Sequence, residues 1–313
     1  MIKTGDTSFK GHLSLFVAYV IFGLNAPIGK SAMMHGVDAL SLTFFRMAGA
    51  AVLFWIASLL APRERVERKD LLWLLGASIF GMAINQMCYI GGLFRTSPVD
   101  ASLIATLGPI ITMLVAAAYL KEPITFKKVL GVLVGAAGVL LLIFTGMQVV
   151  GGGSNTTGNL LCLLSSFSFA IYLTVFRDVI RRYASVTVMK WMFLYAALIC
   201  MPICYGSVRT IDYSALPPIA YWEVAFVVCC ATFFSYLLLP LGQKRLRPTI
   251  ISMYNYIQPI VSSGVAVTMS IDTFGWEKGA SAFLVFLGVY IVTQSKSRAQ
   301  LEAVTKDNTN KHG

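Results

Sequence analysis

The chain has 313 residues, 57% of them apolar and 12% charged, with a formal net charge of +11. A water-soluble domain carries about 25% charged residues, so most side chains here must face lipid or one another. The six cysteines (Cys88, Cys162, Cys200, Cys204, Cys229, Cys230) all lie in apolar runs without histidine at ligand spacing, which argues against a metal site or a disulfide framework; no cofactor is expected.

In chain order, a short polar and basic segment precedes a first apolar span at Leu13–Met33, too long for a signal-peptide core. Four more spans are predicted at Ser41–Leu60, Leu71–Leu93, Val99–Leu120 and Val129–Phe144. The uncharged stretch Thr145–Gly158, rich in Gly, Ser, Thr and Asn, reads as a linker. Spans six to ten are predicted at Asn159–Phe176, Thr187–Tyr205, Pro218–Leu241, Thr249–Ser270 and Gly279–Thr293, followed by a polar tail.

Basic residues alternate with these spans. Nineteen of the 25 Lys and Arg fall in the termini and loops of one side. Lys30, Arg95, Arg209 and Lys278 fall on the other, and Arg46 and Lys190 lie within spans. Basic loops stay in the cytoplasm, so ten spans with both termini inside are expected, in a plasma membrane such as the bacterial inner membrane. The positive charge is spread over six short segments, which favours contact with anionic lipid and gives no nucleic-acid surface.

One stretch occurs twice. With a constant offset of 150 residues, Pro98 falls on Pro248, Ser102 on Ser252, Pro109 on Pro259, Lys128 on Lys278 and Gly138-Val139 on Gly288-Val289, while Glu122 meets Asp272. An odd number of spans per half makes the second half enter from the opposite side. The expected fold is therefore an all-α membrane protein with ten transmembrane helices in two inverted five-helix repeats, residues 11–146 and 157–294, joined by a linker at 147–156 and ending in a cytoplasmic tail at 295–313.

Three prolines are candidate helix kinks: Pro27, Pro109 and Pro259. A proline within a helix lacks the amide donor and frees the carbonyl four residues back, here those of Ala105 and Asn255, tolerated at membrane depth only beside protein or a wet cavity. Polar side chains gather at matching depth: Asn25, Asn85, Gln86, Tyr89, Thr106, Tyr172, Tyr236, Tyr254, Asn255 and Gln258, with Ser165, Ser168, Thr232 and Ser235 nearby. They suit either a polar substrate pocket or interhelical hydrogen bonds worth about 0.6 kcal/mol each. Lys190 sits close enough to a span end to snorkel, whereas Arg46, if turned inward, would favour an anionic or carboxylate-bearing ligand. No acid lies deep in a span; Asp100 and Glu223 are near ends, so no proton relay is visible. Gly131, Gly135 and Gly138 let span five approach a neighbour closely, within the chain or across a homodimer. Leu24 occupies the first glycine position of the phosphate-loop-like Leu24–Ser31 segment, which excludes that reading, and neither a nucleophile elbow nor a zinc-protease motif occurs. Asn155-Thr156-Thr157 fits a glycosylation sequon.

The segment from Asp100-Ala101-Ser102-Leu103-Ile104 through Pro109 to Tyr119-Leu120-Lys121-Glu122, with Gly131 and Gly138 after it, resembles the drug/metabolite transporter superfamily, specifically EamA-type permeases. Asn25-Ala26-Pro27 and Arg46 resemble the first-repeat signature of that family, while Asp272 and Thr273 depart from it in the second copy. The resemblance implies ten helices, an inverted repeat, a central cavity bordered by spans 1, 3, 4, 6, 8 and 9, and movement of small metabolites rather than enzymatic chemistry. The expectation is a secondary transporter, an exporter, of a small polar or amphipathic metabolite such as an amino acid. An anion or phosphorylated-metabolite exchanger and a non-transporting membrane scaffold are the alternatives. Glu122 is expected to anchor a cytoplasmic loop.

Overall fold

The protein is described by a computed structural model covering residues 4–120, 126–146, 155–245, 254, 257–271 and 275–293. Among these residues the secondary structure is entirely helical. The helices are α1 (Thr4–Met34), α2 (Ala39–Leu60), α3 (Arg68–Arg95), α4 (Pro98–Tyr119), α5 (Phe126–Gly146), α6 (Thr156–Val175), the short α7 (Arg177–Arg182), α8 (Ser185–Thr210), α9 (Pro218–Gly242), α10 (Ile257–Thr268) and α11 (Trp276–Thr293). Seven of them, α1 from Gly11 onward together with α2, α3, α4, α6, α8 and α9, are long and apolar enough to cross a membrane. α10 is a shorter apolar helix, as is Val129–Gly138 within α5.

The helix starts follow from their capping residues. The Asp38 carboxylate accepts from the amides of Leu40 and Ser41 at 3.0 and 3.1 Å and opens α2. Ser97 accepts from Asp100 N at 3.1 Å, with Pro98 in the first turn of α4. Asn155 accepts from Thr157 N at 2.8 Å and opens α6. Each cap satisfies an amide that the helix cannot. At the other end of α3, Lys30 on α1 reaches across and donates to the carbonyls of Leu93, Phe94 and Thr96 at 2.9, 2.7 and 3.0 Å. A lysine near the end of the first predicted span thus closes a helix terminus.

Packing repeats between the halves. α2 lies along α8, and α5 along α11. α1 packs on α9 and α10, and α6 packs in the same way on α3 and α4. The correspondence extends to backbone detail. α3 contains one π-helical stretch, Ile79–Ile84, and α9 contains another, Cys229–Phe234, at the same 150-residue offset that relates Gln86 to Tyr236. A π turn inserts a residue and rotates the side chains beyond it. Close approach is matched too: a Cβ at Gly92 would fall 2.7 Å from Cys162 Sγ on α6, and its counterpart Gly242 meets Leu15 on α1. The α5–α11 contact is built similarly. A Cβ at Gly138 would lie 2.9 Å from Ser281 O, and one at Gly288 would collide with the backbone of Gly135 and Gly131. The glycines of α5 therefore serve packing within the chain.

Two expectations change. α4 is not a bent continuous helix. It breaks at Thr106–Leu107, whose amides reach only three residues back, to Leu103 O and Ile104 O at 3.1 and 3.0 Å. Pro109 then stands in the first turn of the following segment, Gly108–Leu120, where a missing amide costs nothing. Pro259 likewise stands in the first turn of α10. Pro27, by contrast, lies inside an unbroken α1. Asn255, Glu122, Asp272 and Thr273, the linker residues 147–154 and the tail from 294 lie outside the described residues.

Candidate functional site

Five helices bring polar side chains to one closed network in the middle of the bundle. Its orientation can be deduced step by step. The backbone carbonyl of Ser165 on α6 can only accept, so Asn85 on α3 turns its amide nitrogen towards it, at 2.9 Å from both Ser165 O and Ser165 Oγ. Asn85 Oδ1 must then face Gln86, whose Nε2 donates to it at 2.9 Å and to the Tyr236 hydroxyl of α9 at 2.9 Å. That leaves Gln86 Oε1 buried with no partner among the described residues. The Gln86–Tyr236 bond joins two equivalent positions, each two residues beyond the end of its π turn.

Arg46 lies beside this chain of bonds. It is 1% exposed, and its Nε donates to Thr232 Oγ1, in the π turn of α9, at 2.9 Å. The Thr232 hydroxyl in turn donates to Val227 O at 2.7 Å. Arg46 Nη1 is buried without a partner among the described residues. The hydroxyls of Tyr236 and Tyr89 lie within electrostatic reach of the guanidinium, and Tyr89 is hydrogen-bonded to Asn25 on α1, whose Oδ1 is unpartnered. Tyr172 on α6 is fully buried against Gly81, with its hydroxyl also unpartnered.

No carboxylate answers Arg46 among the described residues. The three buried acids are engaged elsewhere: Asp70 with Arg182, Asp100 with Lys278 at 3.6 Å, and Glu223 with Ser31 and His35 at 2.5 and 2.9 Å. Burying a guanidinium costs several kcal/mol, and one hydrogen bond to a threonine returns about 1.5–3 kcal/mol. The groups left without partners among the described residues are thus one cationic donor, two amide oxygens and the Tyr172 hydroxyl, the complement of a small ligand carrying an anionic group and hydrogen-bond donors.

Other expected residues lie apart. The Thr106 hydroxyl is used locally, donating to Leu103 O at 2.6 Å where α4 breaks. Tyr254 belongs with the start of α1, sharing a 2.7 Å hydrogen bond with His12 Nδ1 and a ring contact with Tyr19. Gln258 is partly buried at the start of α10, and its carbonyl lies close to Gly23 on α1. Lys190 places its ammonium 5.1 Å from the centre of the Trp55 ring, at the far end of α2, as a snorkelling lysine would.

Sequence reasoning missed the ties at the two ends of the bundle. Ser31 on α1 and His35, in the turn just after it, hold Glu223 on α9. Near the start of α3, Arg182 Nη1 donates to both Asp70 oxygens at 2.8 and 2.6 Å, and the Tyr183 hydroxyl donates to Asp70 Oδ2 at 2.6 Å. The hydrogen bond to Asp70 raises the pKa of Tyr183, and the same carboxylate raises that of Arg182. These pairs are far apart in sequence and carry no local spacing signal.

The sequence is similar to known proteins along most of its length. A model described as the EamA-like transporter family matches it twice, at residues 9–144 and 156–294. An uncharacterized transporter of Archaeoglobus fulgidus is 25% identical over 83% of this chain and 90% of its own. The uncharacterized transporter YyaM of Bacillus subtilis is 25% identical over 89% of this chain and 93% of its own. A probable terminal-alkyne amino-acid exporter of Streptantibioticus cattleyicolor is 24% identical over 56% of this chain and 57% of its own. A solved crystal structure with 18% identity covers 92% of the chain, itself covered to 96%, at a TM-score of 0.61, which indicates a shared fold.

Proposed function

Because the chain belongs to the EamA-like transporter family, we propose that it is a secondary exporter of a small polar or amphipathic metabolite such as an amino acid, working by alternating access. In this reading the chain crosses the plasma membrane ten times, as two inverted five-helix repeats over residues 11–146 and 157–294, with both termini in the cytoplasm. The family and the relatives are transporters rather than enzymes, and the amino-acid exporter of Streptantibioticus cattleyicolor supports the choice of ligand class.

The observation that carries the reading is Arg46, buried at the centre of a two-half polar network, with Nη1 unanswered and no acid beside it among the described residues. The carboxylate of a ligand would meet Arg46, and its donors would meet Asn25 Oδ1 and Gln86 Oε1. Tyr89, Tyr172 and Tyr236 would flank it. Gln258, on the counterpart of the broken helix α4, would enter the path as the halves rock. A single inward cation suits one negative charge better than a phosphate dianion, which disfavours the phosphorylated-metabolite exchanger. The glycine face of α5 is covered by α11, so a homodimer would have to use another surface.

Counterflow in proteoliposomes, with a panel of amino acids, organic acids, amines and sugar phosphates, tests this. Uptake of an amino acid, lost in Gln86→Ala and Asn85→Ala at normal expression, is the expected result. Full transport in both variants would remove the network from the path, and no movement of any solute would favour a scaffold.

A further inference from the structure

Away from the polar network, the end of α2 and the beginning of α8 border an open cleft of about 350 Å³. Arg63, Arg65 and Lys190 bring three positive charges to its lining, and Ser58 and Thr187 add hydroxyls. Glu64 also lines it, but Glu64 Oε2 is engaged by the Ala184 amide at 2.8 Å. Arg63 and Arg65 are exposed, and among the described residues neither forms an ion pair. The cleft sits at the membrane boundary. Trp55 and Trp191 meet edge-on at 5.6 Å just beneath it, and Lys190 lies over the Trp55 face. Tryptophans at this level mark the boundary between lipid and water. Towards the bilayer, α2 presents Ile56, Leu59 and Leu60, which are 54%, 81% and 90% exposed.

We infer that this cleft is a binding site for the phosphate headgroup of an anionic phospholipid, with its acyl chains lying along Ile56, Leu59 and Leu60. Paired guanidiniums match phosphate oxygens in direction as well as charge. A basic pocket between membrane helices at the interface is suited to such a headgroup, and the adjoining apolar strip suits nothing soluble. The occupant would bridge α2 and α8, and with them the two halves of the chain. A freely soluble phosphate compound shares the headgroup chemistry but would gain nothing from the strip.

Native mass spectrometry and thermal unfolding of the purified full chain in detergent distinguish these cases. The probes are phosphatidylglycerol, phosphatidylcholine and glycerol 1-phosphate. Phosphatidylglycerol should stay bound and raise the unfolding midpoint, while phosphatidylcholine and glycerol 1-phosphate at equal concentration do neither. Arg63→Gln with Arg65→Gln should weaken phosphatidylglycerol binding at least about tenfold, and Arg63→Lys with Arg65→Lys, which keeps the charge but not the fork geometry, should recover part of it, which separates lost charge from misfolding. Equal binding of the two lipids, or undiminished binding by the double glutamine variant, would overturn the site. Binding of glycerol 1-phosphate as strong as that of the lipid would overturn the lipid assignment in favour of a soluble anion.

Discussion

Arg46 shows how a single residue can carry a functional argument. Its position on an apolar helix left two outcomes open in the sequence, a side chain snorkelling to the interface or one turned inward. Distance from the span end could not choose between them. The structure chooses through Thr232, a partner 186 residues away. A buried charge without a counter-charge is a net cost, so replacing it with an apolar side chain of similar length should leave the fold at least as stable. Arg46→Met is expected to keep or raise the unfolding midpoint while reducing transport of an acidic or zwitterionic solute about tenfold or more. A parallel loss of stability and transport would assign Arg46 a structural role. Tyr183 gives a pH prediction. Its pKa is raised because its hydroxyl donates to Asp70, so the stability it contributes is complete below the ordinary tyrosine value of about 10 and is lost as pH rises through the higher folded value. Wild type should therefore lose more stability than Tyr183→Phe when the unfolding midpoint is followed from pH 8 to above pH 10.

At the scale of elements, the existence and order of the seven membrane-length helices were legible because apolar runs of that length separated by basic loops admit few other readings. Their ends were less so. α3 extends to Arg68 and Arg95, beyond the apolar run, because the charged residues at its termini find partners or water. The break in α4 was legible only as a proline. The site of disruption lies three residues earlier, at Thr106, where the hydroxyl caps the carbonyl of Leu103. Neither π turn had a sequence signature, since Ile79–Ile84 and Cys229–Phe234 share no residue type at equivalent positions. Two elements can be tested by substitution. Gly288→Val would drive side-chain atoms into the α5 backbone, and overpacking of this kind costs about 1–3 kcal/mol, read as a lower unfolding midpoint. Lys30→Met would strip three carbonyls at the end of α3 of a charged donor, with an expected cost of about 1–3 kcal/mol in the same measurement.

At the scale of the molecule, two halves of different sequence build one pattern of contacts, with α1 set against α9 and α10 as α6 is against α3 and α4. The duplicated stretch made a repeat visible, but the polar residues picked by depth come together only in part. Asn25, Arg46, Asn85, Gln86, Tyr89 and Tyr236 belong to one network, whereas Thr106 and Tyr254 satisfy local partners instead. Depth along a helix placed all of them alike; the direction each side chain takes around the helix depends on π turns and breaks that composition does not reveal. With the network closed by α1, α2, α3, α6 and α9, the account requires it to open alternately to each side. A single cysteine at Tyr89, with the six native cysteines replaced, reports this directly in sealed proteoliposomes treated with a membrane-impermeant maleimide. The account predicts labelling from both faces, slowed by a transported solute. Labelling from one face alone, or from neither while transport persists, would contradict it.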